Sequence, residues 1–132
     1  MTDYLIDTNI LIYYLAGSLP SGEKPMIDKI LQESFNISII TRIELLGWKG
    51  HSLEGLIKAR HLLDCARCIA LTDTIAEKAI EIRTDASITL PDAVIAASAL
   101  SFDAVLVTRN VRDFAHVDGI RLHNPFHRVD SP

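Results

Sequence analysis

The sequence has few cysteines, no long uninterrupted apolar run and no excess of positive charge. Its 132 residues include only two cysteines, so we expect no disulfide framework. No stretch approaches the roughly 20 consecutive apolar residues that a membrane-spanning helix requires. The formal net charge of -4 argues against a broad basic face that binds nucleic acid by charge alone. Any such binding must therefore come from local arginines.

The two cysteines, Cys65 and Cys68, form a C-x-x-C pattern that is compatible with a redox pair or with half of a zinc site. A zinc site needs about four ligands, and the chain offers no second cysteine pair. A thioredoxin-type motif opens a helix, whereas this one follows a predicted helix. We therefore interpret both cysteines as structural residues.

The size of the chain and its apolar content, 48%, predict one domain over residues 1–132, with an irregular tail over residues 124–132. A chain of this length buries roughly two-thirds of its unfolded surface. Asp3 and Asp7 interrupt the segment in which a signal peptide would need its charged and apolar regions. We therefore expect a cytoplasmic protein with no membrane partner.

Strand-like and helix-like patterns alternate along the chain. Apolar, β-prone runs predict strands at residues 4–6, 35–40 and 103–108, with a short edge strand at 120–122, while residues 69–71 are too few to assign. Apolar residues at helical spacing predict helices near residues 10–15, 26–34, 43–48, 52–65, 73–85 and 91–100, and one turn at 111–115. The alternation favours βαβ units and therefore an α/β fold with a mainly parallel sheet.

Four acidic residues each follow a strand or lie in the first turn of a helix: Asp7, Glu44, Asp92 and Asp113. Each has an ordinary structural explanation, such as capping a helix or facing a helix dipole, and Glu44 would complete a capping box with Thr41. The carboxyl ends of parallel strands meet at one edge of a sheet, where ligands bind. We therefore expect the four carboxylates to lie together.

Clustered carboxylates repel one another and raise each other's pKa, so a bound cation would stabilise such a cluster. Ligands that are all oxygen, with no His or Cys among them, favour Mg²⁺, or Mn²⁺ as a substitute, over zinc. A carboxylate-bound Mg²⁺ activates water and neutralises charge on a phosphodiester without a histidine base. The pattern therefore predicts a metal-dependent phosphodiesterase.

Polar and basic residues beside these acids are candidate supporting residues. The polar ones, which would hold water, orient the acids or touch a phosphate, are Thr8, Asn9, Thr108 and Asn110. The basic ones, which would pair with a nucleic-acid backbone, are Arg42, Arg109 and Arg112. Ordinary solvation at the surface is the alternative for each arginine.

Four segments in register resemble the PIN domain and, more narrowly, the VapC toxin ribonucleases of toxin–antitoxin pairs. They are Ile6-Asp7-Thr8-Asn9, Thr41-Arg42-Ile43-Glu44-Leu45, Leu90-Pro91-Asp92-Ala93-Val94-Ile95-Ala96-Ala97 and Thr108-Arg109-Asn110-Val111-Arg112-Asp113-Phe114. The resemblance implies a three-layer α/β/α fold with four or five short strands. It also implies that the four acids surround Mg²⁺ and that the enzyme is an endoribonuclease cleaving structured RNA, often tRNA or rRNA.

The same resemblance implies a homodimer and a cognate VapB-like antitoxin whose C-terminal tail covers the acidic site. Apolar residues of the helices over residues 26–31 and 53–63 would line part of the antitoxin groove, with core packing as the alternative. The fourth acid is the least constant element of the family, so either Asp113 or Asp118 completes the acidic site.

Two further functions remain open at this stage. A PIN-fold nuclease acting on other RNA or on DNA would use the same acids, although larger nucleases of that kind usually carry extra helices or domains. A receiver-like Mg²⁺-binding signalling domain would need paired acids after the first strand and a lysine after a late strand. The chain has Asp7-Thr8-Asn9 and Thr108-Arg109-Asn110 at those positions instead.

Overall fold

A computed structural model describes residues 2–126 of the chain. Its five strands are β1 (Asp3–Ile6), β2 (Asn36–Ser38), β3 (Arg67–Ile69), β4 (Ala104–Val107) and β5 (Leu122–His123). They form one sheet in the order β3-β2-β1-β4-β5, and every pairing is parallel. Because β1 is central and β2 and β4 flank it, the residues that follow these three strands lie side by side at one edge.

Helices connect the strands, as parallel pairing requires. They are α1 (Thr8–Leu15), α2 (Lys24–Glu33), α3 (Ile39–Leu46), α4 (Leu53–Asp64), α5 (Asp73–Asp85), α6 (Leu90–Ser101) and α7 (Val111–Phe114). Between residues 2 and 126, every helix is too short or too polar to cross a lipid bilayer.

The buried apolar residues form two clusters, one on each face of the sheet. Successive residues of a strand point to opposite faces, so Leu106 packs in the cluster with α5 and α6, and Val107 packs in the cluster with α1, α2 and α4. Within α6, all residues from Ala93 to Ala99 are buried. The predicted α/β fold with helices on both faces of a parallel sheet is therefore confirmed.

The second predicted strand is too long. It ends at Ser38, whose side chain accepts a hydrogen bond from the Ile40 amide at 3.0 Å and thereby caps α3. The predicted capping box of Thr41 and Glu44 is therefore wrong, since both residues lie inside the helix. Ile39 is β-branched and favours a strand locally, but the cap at Ser38 and the packing of Thr41 and Leu45 in the interior outweigh that preference.

Four other predictions concern the edge strands, the two cysteines and the tail. β3 begins two residues before the run that was too short to assign, and β5 lies two residues beyond the predicted start of the edge strand at 120–122. Cys65 follows the last residue of α4 as its C-cap, Cys68 lies in β3, and both are exposed free thiols. Residues 124–126 adopt no helix or strand, and the remainder of the predicted irregular tail lies outside the described residues.

Replacing the capping residue of α3 tests the observed helix start. Ser38→Ala should lower the free energy of unfolding by about 1–2 kcal/mol, because the first turn of α3 loses its side-chain acceptor in a fully buried setting. Urea denaturation measures the change. Ser18→Ala, at an exposed loop position, is the control, and equal effects of the two substitutions would contradict the assignment.

Candidate active site

Asp7 lies at the centre of the edge where β1 ends. Its backbone amide donates to the Val107 carbonyl at 2.9 Å, so the residue continues the pairing of β1 with β4. Its Oδ1 accepts from the Thr8 amide at 2.8 Å and caps α1. Only 4% of the residue is exposed. A carboxylate in so dry a position needs further partners.

Those partners come from both ends of the chain. Asp7 Oδ2 accepts from Asn9 Nδ2 at 2.9 Å and from the hydroxyl of Thr108, which is fully buried, at 2.8 Å. The Thr108 hydroxyl in turn accepts from the Asn110 amide at 3.0 Å. The side chain of Asp7 is therefore held in one orientation by donors that follow β1 and β4.

Thr8 connects Asp7 to α3. Its hydroxyl donates to Glu44 Oε1 at 2.7 Å and lies 3.1 Å from the Thr41 hydroxyl. These contacts join residues more than 30 positions apart, and they give Thr41 and Glu44 a tertiary role in place of the predicted capping box. Glu44 itself is an exposed residue beside the buried Asp7.

The pKa values show that the acids act on one another. Burial raises the pKa of Asp7 from 3.8 to about 6, the hydrogen bonds from Thr108 and Thr8 oppose that rise, and the charges of Asp92 and Glu44 add to it. Burial also raises the pKa of Asp92, and the charges of Asp113 and Glu44 raise it further. The structure therefore brings the four predicted acids to the same edge.

Asp118 and Thr89 relate to the acidic edge in different ways. Asp118 lies in an exposed turn and is not among the charges that shift the pKa of Asp7 or Asp92. Thr89 was missed: its hydroxyl accepts from the Asp92 amide at 3.3 Å, and its hydrogen bond lowers the pKa of Asp92. The Thr89-x-x-Asp92 spacing is itself a capping signal and could have identified it.

The residues at this edge match the chemistry of a hard divalent cation. Every candidate ligand is an oxygen. Burial first, and the neighbouring negative charges second, raise the pKa values of Asp7 and Asp92, and a bound cation would offset both effects. Among residues 2–126, however, no three His, Cys, Asp or Glu side chains already stand close enough to form a coordination shell. Ion binding would therefore require the acidic side chains to draw together around Asp7.

The predicted basic residues are arranged in different ways. Arg42 is half-buried and Arg112 is exposed, and neither forms an ion pair within the described part of the chain. Arg109 donates its backbone amide to Asn9 Oδ1 at 3.1 Å, while its guanidinium lies over the rings of Tyr13 and Phe126. Sequence reasoning missed both aromatic residues, because nothing local links them to Arg109.

Comparison with known proteins identifies the class. The family model of the PIN domain matches residues 4–120, and the chain belongs to that family. This assignment gives no support to a receiver-like signalling domain. No curated protein sequence matches the chain.

The similar solved structures include toxin–antitoxin complexes. One chain of a toxin–antitoxin complex from Klebsiella pneumoniae is 30% identical to this chain, with a TM-score of 0.74. The match covers 96% of this chain and 100% of the Klebsiella chain. DNA-bound VapBC from Salmonella typhimurium is 24% identical, with a TM-score of 0.82 and coverages of 95% and 99%. VapBC2 from Rickettsia felis, bound to a promoter fragment, is 23% identical, with a TM-score of 0.80 and coverages of 93% and 98%. The predicted resemblance to VapC-type PIN toxins is confirmed, and the fold is consistent with a nuclease.

The buried carboxyl of Asp7 should make the metal-free protein less stable as pH rises. Its folded pKa of about 6 exceeds the ordinary 3.8, so the stabilisation from its proton is complete below pH 3.8 and is lost as pH rises through about 6. Relative to Asp7→Asn, which cannot ionise, the wild-type free energy of unfolding should fall by about 3 kcal/mol over that interval. Urea denaturation at a series of pH values with a chelator measures it.

Asp28 supplies a control with the opposite sign. Hydrogen bonds from Lys24 and Tyr14 lower its pKa, so its contribution is present above pH 3.8 and is lost as the pH falls through its folded pKa. The free energy of unfolding of wild type minus that of Asp28→Asn should therefore grow with pH in the acidic range. If the corresponding difference for Asp7→Asn is flat or grows with pH, the proposed burial of charge is contradicted.

Removing the hydroxyl of Thr108 should disturb Asp7 in two measurable ways. Thr108→Val leaves one donor and one acceptor bond unmade in a fully buried site, so we expect a loss of about 1–3 kcal/mol in the free energy of unfolding. It should also raise the pKa of Asp7 further, as read by NMR titration of its carboxyl carbon. Thr108→Ser keeps the hydroxyl, and identical behaviour of the two variants would refute the role of this hydrogen bond.

Proposed function

We propose that this protein is a Mg²⁺-dependent endoribonuclease and the toxin of a VapBC-type pair, cleaving structured RNA such as tRNA or rRNA. The observation that carries the proposal is the buried Asp7 carboxyl, whose pKa is raised to about 6 by burial and raised further by the charges of Asp92 and Glu44 from separate segments. A cluster of negative charge without a histidine partner is suited to a divalent cation and a phosphodiester.

In this proposal Asp7, Glu44, Asp92 and Asp113 would hold Mg²⁺, or Mn²⁺ in its place, and the cation would favour the ionised forms of Asp7 and Asp92. The bound ion would supply a water of lowered pKa and positive charge next to the scissile phosphate. Thr8, Asn9, Thr108 and Asn110 have a positioning role, because their bonds fix Asp7 and Glu44 before substrate arrives. Such preorganisation costs nothing at the moment of reaction.

Positive charge must offset the acids if a polyanionic substrate is to approach. Arg42, Arg109 and Arg112 are the cations we assign to the RNA. Arg42 lies two residues from Glu44 on α3, and Arg112 precedes Asp113 on α7. Their effect would be local, because the chain as a whole carries a net charge of -4.

We also propose a VapB-like antitoxin, because the similar solved structures include VapBC complexes. On α2 and α4, Ile27 and Leu63 belong to the core, whereas Met26, Leu53 and Ile57 are exposed by 37%, 77% and 47%. Only the exposed group is free to contact an antitoxin whose tail reaches the acidic site. A homodimer and a cytoplasmic location remain part of the proposal on the strength of the family resemblance.

Cleavage assays with purified protein test the function. We expect tRNA or rRNA to be cut in the presence of Mg²⁺ and left intact with a chelator. Asp7→Ala and Asp92→Ala should each lower the rate by roughly 10²-fold or more, since loss of a partner of a metal ligand alone typically costs 10–100-fold. Matched single-stranded RNA and DNA oligonucleotides separate the proposed substrate from the alternative PIN nucleases that act on other RNA or DNA.

Asp64→Ala is the matched control, because this exposed carboxylate ends α4 and precedes β3, at the opposite edge of the sheet. It should cleave RNA at the wild-type rate. Cleavage that persists in Asp7→Ala and Asp92→Ala, or that ignores the chelator, would refute the proposed site. Glu44→Ala and Asp113→Ala extend the test to the two exposed acids.

A further inference from the structure

Arg109, Tyr13 and Phe126 form a compact group beside the acids, which we term the arginine–aromatic cluster. The guanidinium carbon of Arg109 lies 4.2 Å from the ring centre of Phe126 and 5.1 Å from that of Tyr13. The two rings meet edge to face with centres 4.8 Å apart. Both rings therefore lie on the same side of the guanidinium, because a sandwich would hold them much farther apart.

The cluster is joined directly to the buried acid. Arg109 donates its backbone amide to Asn9 Oδ1 at 3.1 Å, and Asn9 Nδ2 donates to Asp7 Oδ2 at 2.9 Å. The main chain of Arg109 is thus connected to the Asp7 carboxylate through one side chain. A ligand group resting on the cluster would be a neighbour of whatever occupies the acidic edge.

The contacts of Arg109 are unusual for an arginine beside a group of acids. Within residues 2–126 it forms no ion pair with Asp7, Glu44, Asp92 or Asp113. The side chain is exposed, whereas Tyr13 and Phe126 are half-buried. The rings therefore contact the guanidinium on one side, and the arginine as a whole remains exposed to solvent.

We propose that the arginine–aromatic cluster is a stacking site for an unpaired nucleobase of the RNA, next to the phosphate held at the acidic edge. Unpaired bases stack on aromatic rings and on guanidinium planes, and this mode accepts any base. The inference rests on the proposed nuclease function and adds to it a substrate-positioning residue, Arg109, with Tyr13 and Phe126 as its supports.

A base fits these observations better than a phosphate does. A phosphate is bound through the N–H groups at the rim of a guanidinium, whereas a guanidinium that lies over aromatic rings offers a base a surface on which to stack. Because the rings fix that surface beforehand, little side-chain freedom is lost when a base binds. The unpaired bases that fit such a surface occur in the loops of structured RNA.

Binding without cleavage tests the stacking site independently of catalysis. The probes are a fluorescent oligouridine and an abasic oligoribose phosphate of equal length and charge, titrated with a chelator present and followed by anisotropy. Arg109→Lys keeps the charge and removes the plane. We expect it to bind oligouridine about tenfold more weakly than wild type and to bind the abasic strand as wild type does.

Two variants control for charge and for folding. Arg121→Lys makes the same exchange at an arginine that pairs with Asp103, just before β4 and at the opposite edge of the sheet. It should leave the affinities for oligouridine and for the abasic strand unchanged. Phe126→Leu keeps apolar bulk beneath Arg109 but removes the ring. It should weaken oligouridine binding in the wild-type background and have no added effect in Arg109→Lys, with both proteins melting cooperatively.

Three results would overturn the stacking site: Arg109→Lys binding oligouridine as tightly as wild type, Arg109→Lys losing equal affinity for both probes, or wild type binding both probes equally well. The second result would indicate a phosphate contact. Because no cleavage is measured, a wild-type protein that fails to cut RNA would contradict the proposed nuclease function and leave the binding comparison readable.

Discussion

The charge of Asp7 is the constraint to which the rest of the site conforms. A carboxylate that is 4% exposed is costly unless hydrogen-bond donors and positive charge surround it. Three donors come from Thr8, Asn9 and Thr108, which follow the two paired strands β1 and β4. They leave the pKa near 6, so the protein alone compensates for only part of the burial. The remaining compensation is the role we assign to a cation.

The sequence predicted the place of the acids because their placement follows from topology. When strands alternate with helices, parallel pairing brings the residues after β1, β2 and β4 to the same edge of the sheet, at the carboxyl ends of the strands. The conformation of the loops does not alter this. Asp7 and Asp92 could thus be assigned to a common site from their positions after a strand or at a helix start. The same reasoning predicted βαβ units and a mainly parallel sheet, whereas the resemblance to the PIN domain implied helices on both faces.

What could not be predicted depends on contacts between distant residues. Thr41 and Glu44 have the spacing of a local capping box, yet both meet Thr8, and Ser38 caps the helix. The start of α3 was missed because an apolar β-branched run suits a buried strand and a buried helix equally. The contact of Arg109 with Phe126 likewise needs the end of the described chain to return to α1, which no periodicity reveals.

The run of small side chains in α6 has a consequence for how this protein tolerates change. Ala93, Ala96, Ala97 and Ala99 are fully buried, so they let the helix lie close against its neighbours in the sheet and in α5. Asp92 lies in the first turn of the same helix. A methyl group added near the C-terminal end of α6 would therefore displace the helix and, with it, the Asp92 carboxylate. Substitutions of the buried alanines of α6 would then inactivate the protein, although these residues contact neither RNA nor metal.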